Sequence, residues 1–385
     1  MVETPEHTIE VISAPDRLRA LREDWRALDA VVAHPTIFLT WEWMEAWLHG
    51  VDWRRRLHVV VLRDMAGAVA AIAPLMIGSQ GQLDHGGSVL SFVGSDGPQG
   101  GTYLDLLARP GWEGVAHLAV LKHLVASRHL YSYINLNRVA VDAPGFTHWM
   151  AAALECELHA TVDLRRRTVW MSLPSTYSEF IASVSNPRWR QRIRNFPAAL
   201  MKDHPSARYI DRSQEKPLDG VLEDLRRLQA MRFGENNNYF QRDGFPVYMK
   251  RVCDNMQEQG RLQVHCLTID GRVVSMRLGL VHRGTWIDFQ VGSDPAYMKS
   301  NVAHLMLWHC VERAIGMQVR TMDSLDEYDY KKRYFAMTRQ VADVRLFDPR
   351  LRSTGRLMMK AGYRSARSSL KSLLPESVRR WRRGR

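Results

Sequence analysis

The 385-residue sequence contains only four cysteines, Cys156, Cys253, Cys266 and Cys310, with no Cys-x-x-Cys pair and no metal-ligand spacing among them. That scarcity argues against a disulfide framework and a zinc site, and all four are expected as reduced core residues. No apolar run approaches the roughly 18 to 20 residues that a spanning helix needs. The longest, such as Val59 to Leu62 and Val69 to Ile77, suit buried strands. The chain opens without a basic stretch followed by an apolar one, so no secretory leader is expected and the cytoplasm is the expected compartment. Helix-turn-helix, zinc-finger and RNA-binding sheet motifs are missing as well, so basic charge alone does not make this a nucleic-acid-binding protein and no specific nucleic-acid partner is expected.

What is present is an ordinary globular composition on a chain too long for one hydrophobic core, which implies two domains of roughly 150 to 200 residues. The net charge of +12 asks for an anionic partner: a phosphate-rich cofactor, an acidic membrane or a nucleic acid. Much of it is segregated. From Arg350 to Arg385 there are ten Arg and two Lys against one acidic residue, Glu376, with Leu357, Met358, Tyr363, Leu370, Leu373, Leu374, Val378 and Trp381 between them. Such a mixture suits an interfacial amphipathic helix, and residues 349–385 are expected as a membrane-surface tail.

The rest alternates. A strand at His7 to Ser13 precedes one amphipathic helix that starts at Pro15 and carries Leu18, Leu21, Trp25 and Leu28 on one face. An aromatic helix, Thr40 to His49, is followed by strands Leu57 to Arg63 and Ala68 to Ile77. The glycine-rich stretch Gly94 to Gly101 leads into an expected strand, Thr102 to Leu107, and not into a helix, so it lacks the context of a phosphate cradle. Helix Val115 to Arg128, strand Ser132 to Asn137 and helix Thr147 to Glu157 complete the first half. The second half adds strand Thr168 to Met171, a helix from Thr176, and helices Pro187 to Lys202, Pro217 to Phe233 and Phe245 to Gln259. A meander follows, Leu262 to Ile269, Arg272 to His282 and Trp286 to Gly292, turning at Asp270 and Gly271. Helix Asn301 to Gly316 and strands Arg320 to Asp323 and Gln340 to Phe347 close it. The fold class read from this is α+β, in two comparable halves.

The aromatic segment Phe38 to Trp47, the stretch Tyr103 to Asp105, the turn Asp270-Gly271, the run Val291 to Asp294, the helix start at Ser300 and Asn301, and Asp323 followed by Tyr330 and Lys331 occur in a familiar order. In that order and spacing, over about residues 8 to 348, the chain resembles the tandem-GNAT acyltransferases of bacterial cellulose and exopolysaccharide clusters, relatives of the Fem aminoacyltransferases. It departs from their pattern at Asn301-Val302, where a small or glycine-containing turn is usual, and at Asp326-Glu327, where an Arg-Gly pair is usual. The resemblance implies two GNAT-like domains, 8–165 and a catalytic 166–348, each a mixed, mostly antiparallel sheet flanked by helices. It also implies an acyl-CoA or other acyl thioester co-substrate; no His-x-x-x-His or Cys/His set suggests a metal, and none is expected.

Direct attack on a thioester needs an anchor for the donor's phosphates, a base for the amine's proton and an oxyanion or thiolate donor. Lys299, Ser300 and Asn301 open a helix and suit the phosphates, as do Arg190 and Arg194 on the basic helix. Asp288, in an apolar strand, is expected to be desolvated and so to act as a base. By resemblance Asp323 lies at the floor of the site, Tyr330 and Lys331 orient acceptor or donor, and Asp105 sits near the substrate. His282, His304 and His309 are alternative bases. Trp41 and Trp43 on the aromatic helix, together with the basic tail, fit a membrane-associated long-chain amine such as a sphingoid base. The reading is an N-acyltransferase, cytoplasmic and peripheral on the inner membrane. Acetylation of an amino sugar or exopolysaccharide and Fem-like use of aminoacyl-tRNA are the alternatives.

Overall fold

Strand β1 (His7–Ile12) leads into α1 (Pro15–Ala20) and α2 (Arg22–Val31), then α3 (Trp41–Gly50), β2 (Arg56–Leu57), β3 (Val59–Asp64), β4 (Val69–Ala73), β5 (Leu75–Gly78), β6 (Val89–Phe92) and β7 (Leu107–Ala108). Next come α4 (Glu113–Ala126), β8 (Tyr133–Ala140), α5 (Pro144–Glu155), β9 (His159–Ser172), α6 (Tyr177–Ser183), α7 (Pro187–Asp203), β10 (Arg208–Asp211), α8 (Asp219–Phe233) and α9 (Phe245–Glu258). The chain finishes with β11 (Leu262–Ile269), β12 (Arg272–His282), β13 (Thr285–Ser293), α10 (Val302–Gly316), β14 (Thr321–Asp326) and β15 (Met337–Phe347). This computed structural model describes residues 6–50, 56–78, 88–95, 100–234, 239–328 and 331–350; Tyr330 and the basic tail from 351 lie outside them.

Local signals predict most of these elements, and three differences have physical causes. The helix from Pro15 is two helices, because Leu21 leaves helical geometry and donates its N–H to Leu18 O, which keeps Leu18, Leu21 and Trp25 all in the core. The strand expected at Thr102 to Leu107 shrinks to β7, because Tyr103 takes a left-handed backbone (φ 61°). Strand β9 runs for 14 residues where four were expected. The Asp270-Gly271 hairpin forms as read, both residues having positive φ (51° and 75°).

Each half contains a parallel strand pair closed over a helix: β6 with β8 across α4, and β13 with β14 across α10. All other neighbours in the eleven-stranded sheet, β10-β11-β12-β13-β14-β9-β15-β8-β6-β5-β2, are antiparallel. A smaller antiparallel sheet, β1-β3-β4-β7, backs the first half. The centre of the large sheet is an exchange. Strand β9, following the first half, pairs with β14 of the second, whereas β15, following β14, pairs with β8 of the first. The boundary expected at 165/166 therefore falls inside β9, and the two halves share one hydrogen-bonded sheet.

Helix α3 lies against α9, inside a core built from both halves. Trp43 is fully buried, with edge-on contacts to Phe38 (4.7 Å), Tyr248 (5.8 Å) and Phe289 (5.5 Å), and Trp41 stands edge-on to Trp25 at 5.9 Å. Both were expected to meet substrate. Trp43 is instead a packing residue of the junction, where large rings bury much area at little entropic cost, whereas Trp41 also lines a separate cavity of about 250 Å³ with Arg251 and Asn255. A second core joins α6, α7 and α10 to the opposite sheet face.

Beside the first core, His58 lies buried between β2 and β3 and stacks on His123 of α4 at 5.9 Å; neither Nε2 has a partner among the described residues. Burial, then the charges of His123 and Arg56, lower the His58 pKa from 6.5 to about 4. A depressed histidine pKa means that the unfolded chain binds the proton first, so stability falls as pH drops from about 6.5 towards 4. Discounted for the partly accessible His123, the loss is on the order of 2 kcal/mol. Urea titrations of His58→Gln at pH 7 and pH 5 should show a smaller acid loss than wild type; equal losses would place the acid sensitivity elsewhere.

Candidate active site

A cleft of about 750 Å³ opens between the halves. Along β14, Thr321 and Asp323 face this cleft, whereas Met322 points into the core against α10. The left-handed Tyr103 reaches across from the first half, and its hydroxyl donates to Asp323 Oδ2 at 2.6 Å and lies 2.7 Å from Thr168 Oγ1. An aromatic residue in that backbone region costs roughly 1 kcal/mol or more, a strain that serves to place the hydroxyl. Asp323 Oδ1 accepts from Leu325 N at 2.7 Å. Burial pushes the Asp323 carboxyl above the usual carboxylate range, against the opposing pull of Tyr103, Leu325, Arg339 and Lys331. Burial and the adjacent carboxylate push Tyr103 well above its ordinary value, which keeps it a hydrogen-bond donor. Arg339 holds the wall: its guanidinium sits 5.1 Å above the Tyr103 ring and 5.5 Å above Trp170, and its Nε donates to Asp142 at 2.9 Å. A desolvated carboxylate with a raised pKa, open to a cleft, is suited to accept a proton.

Asp105 also borders the cleft, but its carboxylate is committed to structure. Its Oδ1 accepts from Leu106 N and Trp149 Nε1, both at 2.8 Å, and lies 3.0 Å from His117 Nε2. Its Oδ2 occupies the first turn of α5, where a Cβ on Gly145 would stand only 1.6 Å away.

Asp288 lies on the other face of the sheet from Asp323. Strands β13 and β14 pair only from Thr285 to Ile287 with Thr321 to Asp323, and then diverge. Past that point Asp288 is buried as expected but ion-paired with Arg277, and it accepts from Ser324 Oγ at 3.2 Å. Arg277 Nη2 in turn reaches Ala303 O of α10 at 3.4 Å. The carboxylate expected as a base is thus committed to Arg277 and Ser324, which makes it an anchor between β12, β13 and β14. Lys331 Nζ donates to Ser324 O and to Asp326 O (3.1 Å), bracing the end of β14. Burial lowers its pKa, while Asp288 opposes.

Helix α10 starts one residue later than expected. Asn301 is its left-handed N-cap residue (φ 58°), but its side chain turns back to Lys299 O (3.1 Å) and makes no cap bond, leaving the first helical N–H groups without a side-chain cap. Ser300 Oγ is 3.3 Å from His204 Nε2, and Lys299 is exposed. Arg190 donates to Val184 O at 3.0 Å, and Arg194 is exposed on α7. Among the alternative bases, His282 is on Asp29 (3.1 Å), His304 on Tyr334 (2.8 Å), and His309 is stacked on Tyr209. Tyr103, Thr168, Trp170, Arg277 and Arg339 escaped the sequence reading as functional residues. Only Tyr103 carried a signal, as part of its motif with Asp105.

Residues 187–332 match the model of a family described as the acetyltransferase (GNAT) domain, a span that contains α7, α10, β13 and β14. No curated protein matches the chain. Among solved structures the fold is similar to FemX, with 10% identity and a TM-score of 0.61 over 88% of this chain and 96% of that one. It is also similar to L-PGS from Bacillus licheniformis (11%, 0.52, 92% and 97%) and to the C-terminal domain (DUF2156) of a putative lysylphosphatidylglycerol synthetase from Agrobacterium fabrum (9%, 0.51, 83% and 90%). Residues 187–332 thus match a GNAT acetyltransferase domain, and the chain as a whole shares the fold of FemX. The match over residues 187–332 makes it a transferase of the acyl class.

Proposed function

We propose that the protein transfers an acyl group from acyl-CoA or another acyl thioester to the amine of a membrane-held long-chain acceptor such as a sphingoid base. The observation that carries this reading is Asp323, a desolvated carboxyl with a raised pKa facing a cleft of about 750 Å³. The acceptor amine lies in the cleft, Asp323 takes its proton, and the nitrogen attacks the thioester carbon, reached where β13 and β14 diverge. The donor's phosphates meet the uncapped N-terminus of α10. Ala33, Pro35, Ile37, Leu104, Val139 and Ala140 line part of the cleft and suit an alkyl chain. The basic segment 351–385 holds the enzyme to the cytoplasmic membrane face; no helix among the described residues is long and apolar enough to cross a membrane.

With palmitoyl-CoA and sphinganine in phosphatidylglycerol vesicles, the full chain should form the N-acyl amide, read by mass spectrometry. Truncation after Arg350 should leave a folded enzyme that acts on a soluble amine but no longer sediments with the vesicles at low salt. Acylation of an amino sugar only would overturn the acceptor, transfer from aminoacyl-tRNA only would overturn the donor, and undiminished sedimentation would overturn the anchor.

A further inference from the structure

Helix α7 carries an exposed face that nothing in the catalytic reading uses. At 100° per residue, Arg188, Gln191, Arg192, Asn195, Ala198, Ala199 and Lys202 fall on one side, and Arg194 flanks them. Ile193 and Leu200 face the core. Among the described residues, Arg188, Arg192, Arg194 and Lys202 have no ion-pair partner, although most other described arginines of this chain are paired or bonded to carbonyls. Arg192 is also pre-oriented, its guanidinium 4.6 Å above the Trp189 ring and 5.8 Å above Phe196. The same Trp189 ring lies 5.3 Å from His304 in the first turn of α10 and 5.4 Å from Tyr334. The basic face therefore begins beside the end of α10 to which the donor is assigned.

We propose that this face docks an acidic protein that carries the acyl group as a thioester on a phosphopantetheine arm. The inference rests on the thioester reading above and names the donor's carrier. From Arg188 to Lys202 the cations span about 20 Å along the helix, the reach of a protein surface and more than one cluster of nucleotide phosphates occupies. Ala198 and Ala199 between them let a partner helix approach closely, and acidic side chains on that helix complement the row of cations. A membrane contact would need large apolar residues among the cations, and of those on α7 only Met201 is exposed. A single-stranded nucleic acid would ask for exposed rings to stack on, and Trp189 and Phe196 are half-buried beneath Arg192. In the transfer, the acceptor nitrogen bonds to the acyl carbon and the carbon–sulfur bond breaks. The thiolate takes up the proton that the amine released, so amide and free carrier thiol leave together.

The test uses the full chain with two donors, palmitoyl-CoA and palmitate on a bacterial acyl carrier protein, and one amine acceptor. Arg188→Glu with Arg192→Glu and Lys202→Glu should raise KM for the carrier-linked donor at least tenfold and abolish binding of the holo carrier at low salt. Its kcat/KM with palmitoyl-CoA should stay within about twofold, and Arg188→Gln with Arg192→Gln should show the same pattern more weakly with an unchanged melting temperature. Equal loss with both donors, no loss with either, or wild-type protein that does not bind the carrier would overturn the proposal. So would a variant that loses vesicle or RNA binding while its use of the carrier is unchanged. Transfer from neither thioester would instead overturn the proposed function, which separates the two failures.

Discussion

Asp323→Asn should lower kcat at pH 7.5 by at least about a hundredfold, the usual scale for loss of a general base, while the chain remains folded. The amide cannot take a proton, yet it preserves the shape of the carboxyl beside Tyr103 and Leu325. Stability should move the other way. Burial raises the Asp323 pKa in the fold, so ionisation costs the native state more than the unfolded one, and that cost grows as pH rises from the unfolded value through the folded one. At pH 7.5 the variant should therefore melt no lower than wild type, which distinguishes a lost base from a damaged site. In wild type, kcat should fall about tenfold per pH unit below the raised pKa and level off above it. Tyr103→Phe removes a hydrogen bond that favours the carboxylate, so the acidic limb should shift to higher pH while the plateau survives. Wild-type turnover in Asp323→Asn, or an unmoved limb in Tyr103→Phe, would take the Tyr103–Asp323 pair out of the mechanism.

The residues legible in the sequence were those whose signals are local. The Asp270-Gly271 turn and the helix from Pro187 to Lys202 need no distant partner, and both formed as read. Asp323 came through the resemblance, and the structure sets it in the lining of the cleft. What escaped depends on separation along the chain. Tyr103 meets Asp323 across 220 residues, and nothing near either one announces the other. Trp43 looks like part of a binding face because an aromatic helix surface reads alike whether a ligand or α9 covers it. The exchange of β9 and β15 is invisible for the same reason: alternation marks a strand but not its neighbour. The partner of Asp288 was not legible because its cation stands on the adjoining strand. Arg277 comes 11 residues earlier on β12 and reaches Asp288 only through the β12–β13 pairing, with its irregularity at Leu278/Gly279.

That pairing sets the second large expectation, a loss of stability in Arg277→Met. The side chains of Arg277 and Asp288 are 8% and 3% exposed, so each removes the other's need for water. With the guanidinium gone, Asp288 keeps a hydrogen bond from Ser324, and its Oδ1, already without a partner, has no solvent to turn to. Breaking one side of a buried pair costs about 3–5 kcal/mol, whereas replacing both by apolar groups is often close to neutral. Chemical denaturation should accordingly show Arg277→Met destabilised by that amount and Arg277→Met with Asp288→Leu restored to within about 1–2 kcal/mol of wild type. The activity of Asp288→Asn completes the argument. An anchor for Arg277 and the start of α10 should lower kcat less than tenfold and mainly raise KM for the donor, because its work is to hold the donor side of the sheet. A hundredfold fall in kcat with unchanged stability would return Asp288 to the role of base.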